Sequence, residues 1–187
     1  MIERRGPWQV LARREVYRNP WLRVREDTVI RPDGTPGIYG VVEPADNAAV
    51  VALDDGGRVA LVVEFVYPLE RELIQIPSGG IGPGEDPLAA AKRELAEETG
   101  LTAARWTSLG SFALSGGIST QRSYLFLAQG LEGGLARLEG TERLTLRLVP
   151  LDEALALADR SEIVDSPSLV GLYRAARHLS QERRATT

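Results

Sequence analysis

Polar and apolar positions along this chain fall into two rhythms, one of strands and one of helices. β-branched and aromatic residues concentrate at 16–29 and 38–43, and Arg31-Pro32-Asp33-Gly34-Thr35 between them has the composition of a tight turn. The pattern predicts strands on both sides of that turn, closed by a boundary at Pro44-Ala45-Asp46-Asn47. Valine-rich runs at 48–53 and 59–66 flank Asp54-Asp55-Gly56-Gly57 and predict a second hairpin, apolar enough for the centre of a sheet. The rhythm then changes. Leu88, Ala91 and Leu95 recur at i, i+3 and i+7, the stripe of an amphipathic helix. Asp86 suits its N-cap, Pro87 its first position and Gly100 its stop. Further strands are predicted at 106–114, 122–128 and 144–148, and a helix at 152–158 opened by Asp152-Glu153. A last helix is predicted at 166–179, with Leu169, Leu172, Tyr173 and Ala176 on one face, followed by a frayed tail at 181–187. Interleaved strands and helices place the chain in the α/β class.

Size and charge narrow this picture. At 187 residues the chain suits one domain with an appendage: an N-terminal β segment at 1–46 and a main domain at 47–180. Cysteine is absent, which removes disulfides, thiolate zinc sites and cysteine nucleophiles. A net charge of −4 gives no general attraction to nucleic acid or to an anionic membrane, so neither is expected as a partner. The start, Met1-Ile2-Glu3-Arg4-Arg5-Gly6-Pro7, lacks an apolar signal region, and no apolar run is long enough to span a bilayer; a cytoplasmic location is expected. Ser115 and Ser119 have no neighbouring His/Asp set, and His178, the one histidine, falls in the last helix.

The chemistry concentrates in one stretch. Glu94, Glu97 and Glu98 lie at i, i+3 and i+4 and so share one helix face, with Glu85 just ahead of the helix. Three carboxylates on one face repel each other, and hard divalent cations with oxygen preference, Mg²⁺ or Mn²⁺, resolve that repulsion. Gly79, Gly80, Gly82 and Gly84 predict a pliable loop ahead of the helix.

Gly79, Glu85, Arg93, Glu94, Leu95, Glu97, Glu98, Gly100 and Leu101 fill every fixed position of the Nudix box, so this stretch resembles that of the Nudix hydrolases. A chance match of this specificity is on the order of one in 10⁵. The resemblance covers about 47–179 and implies an α/β/α sandwich with a mixed sheet. The extra N-terminal β-hairpin segment is similar to that of the ADP-ribose pyrophosphatase branch, and implies a homodimer with shared substrate sites. The implied reaction is divalent-metal-dependent hydrolysis of a nucleoside diphosphate linked to a group X, giving NMP and X-phosphate. Glu94, Glu97 and Glu98 are the implied metal ligands, joined by the carbonyl of Ser78 and by Glu142 on a later loop. Arg93 is expected to fix a box carboxylate. Glu139, one residue from the branch's base position at Gly140, is the candidate general base. Arg71, Tyr67 and Trp21 are candidates for substrate contact.

Departures from the branch pattern bear on specificity. Val66 stands where the branch carries a phosphate-binding arginine, which leaves Arg71, Arg23 and Arg25 to compensate and predicts weak ADP-ribose hydrolysis with a high KM. Two alternatives accompany this reading: a Nudix hydrolase of a dinucleotide cofactor, dinucleoside polyphosphate or damaged nucleoside triphosphate, or a nucleotide-binding regulator without turnover.

Overall fold

The computed structural model describes residues 3–133 and 144–185. The chain divides into two compact units. The first comprises Met1–Asp46 with Ala113–Arg122, the second Asn47–Phe112 with Ser123–Thr187.

Unit 1 is a four-stranded antiparallel sheet in the order β1 (Glu3–Arg5), β2 (Trp8–Arg18), β3 (Leu22–Ile30), β4 (Pro36–Pro44). The run at 16–29 is therefore not one strand. It is broken at Asn19, whose Oδ1 accepts from the backbone N–H of Trp21 at 2.9 Å and of Leu22 at 2.8 Å. Asn-Pro is a turn signal, and the β-branched residues flanking it masked it in the sequence pattern. The N-terminal segment is accordingly a full sheet rather than a single hairpin. Among the described residues of unit 1, only Val10 and Val29 are buried hydrophobics; Arg25 and Asp27 are buried beside them. Arg25 places Nη1 within 3.0 and 2.9 Å of the two Asp27 oxygens, and Nε 2.9 Å from Glu43. A buried guanidinium is tolerated because both neighbouring acids satisfy its donors.

Unit 2 is built on a seven-stranded mixed sheet. Its main path runs β11 (Thr145–Pro150), β6 (Arg58–Val66), β5 (Asn47–Leu53), β10 (Arg122–Gly133), β9 (Leu101–Ala113). β5 and β10 are parallel, β6 and β11 antiparallel. β5 and β6 pair at Leu53 and Val59, beside their turn. Beyond it they diverge, and two short strands fill the fork: β7 (Arg71–Gln75) pairs β6 and β8 (Ser78–Gly80) pairs β5. Neither short strand is legible in the sequence pattern, because Pro77 interrupts them and Gly79 and Gly80 have low strand propensity.

Alternation along β5 distributes its residues to two cores. Ala48, Val50 and Ala52 pack with Ala90, Ala91 and Leu95 of α1 (Pro87–Thr99). Ala49, Val51 and Leu53 pack on the opposite face with Ala154 and Leu157 of α2 (Leu151–Asp159) and Leu172 and Ala175 of α3 (Ser166–Ala185). Unit 2 is thus an α/β/α sandwich, which explains why its strands read as near-continuous apolar runs.

The structure corrects α3 twice. It runs to Ala185 instead of fraying from 181, since Gln181-Glu182-Arg183-Arg184-Ala185 are good helix formers and His178 Nε2 lies 3.3 Å from Glu182 Oε1. Its buried face is also rotated: Ser168, Gly171, Leu172 and Ala175 are inside, while Tyr173 is exposed. Gly171 permits this, because a Cβ there would come within 2.9 Å of Ile76 Cδ1. The helix therefore approaches the sheet through its small residues rather than its largest apolar ones.

Candidate active site

The box folds locally as its residues dictate. The Asp86 side chain accepts from the N–H groups of Leu88 and Ala89, and Pro87 occupies the first turn. Gly100 ends α1 at φ 70°, the left-handed conformation that favours glycine. Ahead of the helix, Gly79 and Gly80 are not loop. They belong to β8, in register with Ala48 and Asn47 of β5. Gly79 is required there for space: a Cβ would lie 2.1 Å from the Glu94 carboxyl carbon. The backbone of β8 and the Glu94 carboxylate thus share one small volume.

Arg93 organises the acids. Its Nη1 donates to Glu94 at 2.7 Å and to Glu97 at 2.9 Å, its Nε to Glu85 at 3.0 Å, and its Nη2 to the Gly80 carbonyl at 2.9 Å. Glu85 also accepts from Gly82 N–H at 2.8 Å, which ties the loop down. Glu98 turns the other way and accepts from Ser78 N–H at 3.1 Å. Arg93 and the Gly82 N–H hold the Glu85 carboxyl below its ordinary range. Glu85 foremost, with Glu94 and Glu97, makes the Arg93 guanidinium still harder to deprotonate. Glu94 is buried, which raises the cost of leaving its charge unmatched.

Three carboxylates of this cluster, Glu85, Glu94 and Glu97, share the one guanidinium, and the fourth, Glu98, accepts from Ser78 N–H. The cluster's donors are hard oxygens, the type that suits Mg²⁺ or Mn²⁺. With Arg93 drawing Glu85, Glu94 and Glu97 to itself, no three acidic or imidazole groups among the described residues converge as a metal-holding set. The donor chemistry fits a divalent cation, and the side-chain rotamers are those of the arginine-bound arrangement.

The remaining candidates are dispersed. Arg71 opens β7 directly opposite Val66 of β6 in the antiparallel register. Counting alternation from Ala60, both occupy the sheet face that α1 covers. Among the described residues Arg71 makes no ion pair. Tyr67 begins a 3₁₀ turn, Tyr67–Leu69, and is 84% exposed. Trp21 is an exposed residue of unit 1, in the turn between β2 and β3. Arg23 and Arg25, considered as compensating cations, are both engaged by Glu43 within unit 1, so their charge is already matched there. Glu139 and Glu142 lie outside the described residues. Sequence reasoning missed the packing of Gly79 against Glu94, for which the signal was the fixed glycine itself.

The sandwich thus carries its carboxylates on the helix that follows β8. The sequence model of the NUDIX domain matches residues 43–168, and that of the nucleoside diphosphate sugar hydrolase N-terminal domain matches residues 8–42. The chain belongs to the Nudix hydrolases, in their ADP-ribose pyrophosphatase-like branch. It is 31% identical over 160 residues to the ADP-ribose pyrophosphatase of Bacillus subtilis (strain 168), covering 84% of this chain and 86% of that one. It is also 31% identical over 160 residues to a methanol dehydrogenase activator of Bacillus methanolicus, with the same coverage. Among solved structures it resembles an ADP compounds hydrolase, with a TM-score of 0.83 and 21% identity over 96% of this chain and 98% of that one. Among the described residues no helix is long and apolar enough to cross a membrane.

Proposed function

We propose that this chain hydrolyses a nucleoside diphosphate linked to a second group, of the ADP-ribose or nucleoside diphosphate sugar kind, to a nucleoside monophosphate and the phosphorylated second group. The observation that carries this reading is the concentration of carboxylates at the box: Glu85, Glu94 and Glu97 on Arg93, with Glu98 on Ser78 N–H. A diphosphate is itself anionic, so this site needs added cations before it can accept one. Mg²⁺ or Mn²⁺ would be held by Glu94, Glu97 and Glu98 with the Ser78 carbonyl and Glu142. When bound, such an ion polarises the P–O bonds and lowers the pKa of water.

The protein's own groups then have distinct tasks. Arg93 orients Glu94 and Glu97, and Glu85 holds the loop. Glu139 receives the proton from water as its oxygen bonds to phosphorus, and the bridging P–O bond breaks with its electrons staying on the departing phosphate. Arg71 beside Val66 supplies the cation for the diphosphate, with Tyr67 as a contact for an organic end. That placement supports ADP-ribose-like compounds as substrates even though Val66 is apolar.

We further propose a homodimer formed through unit 1. The support is its small apolar interior, Val10 and Val29, set against exposed Leu11, Val16, Tyr17 and Ile38. Light scattering on the full chain should give a dimer mass, and a monomer would overturn the assembly reading.

The function is tested with a panel of nucleoside diphosphate compounds and Mg²⁺, read by product chromatography. Glu98→Gln should lower kcat by at least about 10²-fold with the fold intact, and EDTA should abolish turnover. Full turnover by both Glu98→Gln and the EDTA-treated enzyme would sink the metal reading.

A further inference from the structure

The backbone that carries Ser78 and Gly79 is latched from the far side of the sheet. Ser168, fully buried in the first turn of α3, accepts the Ile76 backbone N–H on its Oγ at 2.8 Å. Its own hydroxyl donates to Asp165 Oδ2 at 2.8 Å, and the Ser168 N–H donates to the same oxygen at 3.0 Å. Three residues later Gly171 brings α3 against the Ile76 side chain. Ile76 is thus held at both its amide and its side chain by one helix face. The latch is directional, because the Ser168 hydroxyl donates its hydrogen bond to Asp165 and leaves its lone pairs toward the Ile76 N–H.

From Ile76 the restraint passes along two residues. The Pro77 carbonyl accepts from Val50 N–H at 2.9 Å, which fixes the peptide plane onto β5. Ser78 N–H then meets Glu98, and Gly79 meets Glu94. Proline at 77 cannot donate a backbone bond of its own, so the junction between β7 and β8 depends on the Ile76 amide before it and on its own carbonyl. This junction bridges a fork where β5 and β6 no longer pair each other.

We propose that Asp165 and Ser168 are positioning residues for the box: they set the place of Ser78 N–H, and through it the rotamer of Glu98, without touching substrate. The inference rests on the proposed hydrolase reading for its catalytic consequence, while the latch itself is a statement about backbone order. Asp165 Oδ1 is buried with no hydrogen-bond partner among the described residues. A buried acid that spends one oxygen on two donors and leaves the other unused is costly as a stability device, and that cost is consistent with orientation as its task.

The test compares wild type, Ser168→Ala, Asp165→Asn, Asp165→Ala and a control, Leu157→Ala, which thins the same core without touching the latch. Amide hydrogen exchange at Ser78 is the first readout. It should quicken at least about tenfold in Ser168→Ala but not in the control at matched thermal destabilisation. In steady state, Ser168→Ala should lower kcat about tenfold and raise the Mg²⁺ concentration for half-maximal activity, with the nucleotide KM changed less than about twofold. Asp165→Asn retains an acceptor oxygen toward Ser168 and should recover most of kcat; Asp165→Ala should not. Unchanged Ser78 exchange in Ser168→Ala, or equal quickening in Leu157→Ala, overturns the proposal. So does a normal kcat in Ser168→Ala. If wild type cleaves nothing in the panel, the hydrolase reading falls, and the exchange comparison alone decides the latch.

Discussion

Both units gather charge around a hub, but with opposite balance. In unit 1 an acid is the hub: Glu43 holds Arg23 and Arg25, and Arg25 is shared with Asp27. Arginines and acids there are closely matched, with Arg14 on Glu26, Arg18 on Glu15 and Arg13 on Glu3 as well. In unit 2 the hub is Arg93, and acids outnumber it. A matched network satisfies itself and behaves as part of the fold. In a mismatched one several acids compete for one guanidinium. The two units therefore differ in the balance of charge rather than in the number of ion pairs, most of which are exposed and contribute little.

The sharpest way to break this comparison is Gly79→Ala. The new Cβ must displace the Glu94 carboxylate, the mobile end of a side chain, so the fold should survive while the cluster is disarranged. We expect kcat to fall about 10²-fold, with a melting temperature within a few degrees of wild type, about what loss of one ligand costs. Retained activity would show that Glu94 has no role at its observed position.

A smaller effect is expected at the sheet edge. Arg71→Ala should raise KM for ADP-ribose about 10-fold or more, the scale of one charge-assisted hydrogen bond. Adding Val66→Arg to it should restore part of that loss, since the two positions are cross-strand partners. An unchanged KM in Arg71→Ala would return the weak-ADP-ribose expectation drawn from Val66.

In unit 1, Glu43→Gln should act on stability alone. It leaves buried Arg25 to Asp27 and should cost about 1–3 kcal/mol in denaturant unfolding. The Mg²⁺ requirement should stay as in wild type; a shifted requirement would mean that the matched network also serves the site.

The least effect is electrostatic. Glu85 has its folded pKa depressed, so its contribution is present above the unfolded carboxylate value of 4.5 and is lost as pH falls below it. In Arg93→Ala, carbon-detected titration should show the Glu85 pKa rising back toward that value; no rise would mean that Gly82 N–H alone sets it.

How much of this was legible in the sequence depends on how far apart the interacting residues lie. The box, its cap at Asp86 and its stop at Gly100 are contiguous, and each has a local physical reason that pattern can express. The valine runs of β5 and β6 announced a buried sheet centre for the same reason. Hidden features required distant partners or contradicted local averages. The Asn19 turn sat inside β-branched residues. β7 and β8 are strands of low intrinsic propensity, held because a fork in the sheet offers them unpaired backbone on both sides. The burial of Arg25 carries no periodic signal, since apolar periodicity registers only apolar interiors. The face of α3 was misread because small residues, not Tyr173, make the close approach.

The bond between Ser168 and Ile76 joins positions 92 residues apart. During synthesis, at roughly 5–20 residues per second, the Ile76 amide leaves the ribosome roughly 5–18 s before Ser168 does. Until α3 docks, the Ile76 amide has no serine to hold it. The order of the chain thus places the strand to be held well ahead of the helix that holds it.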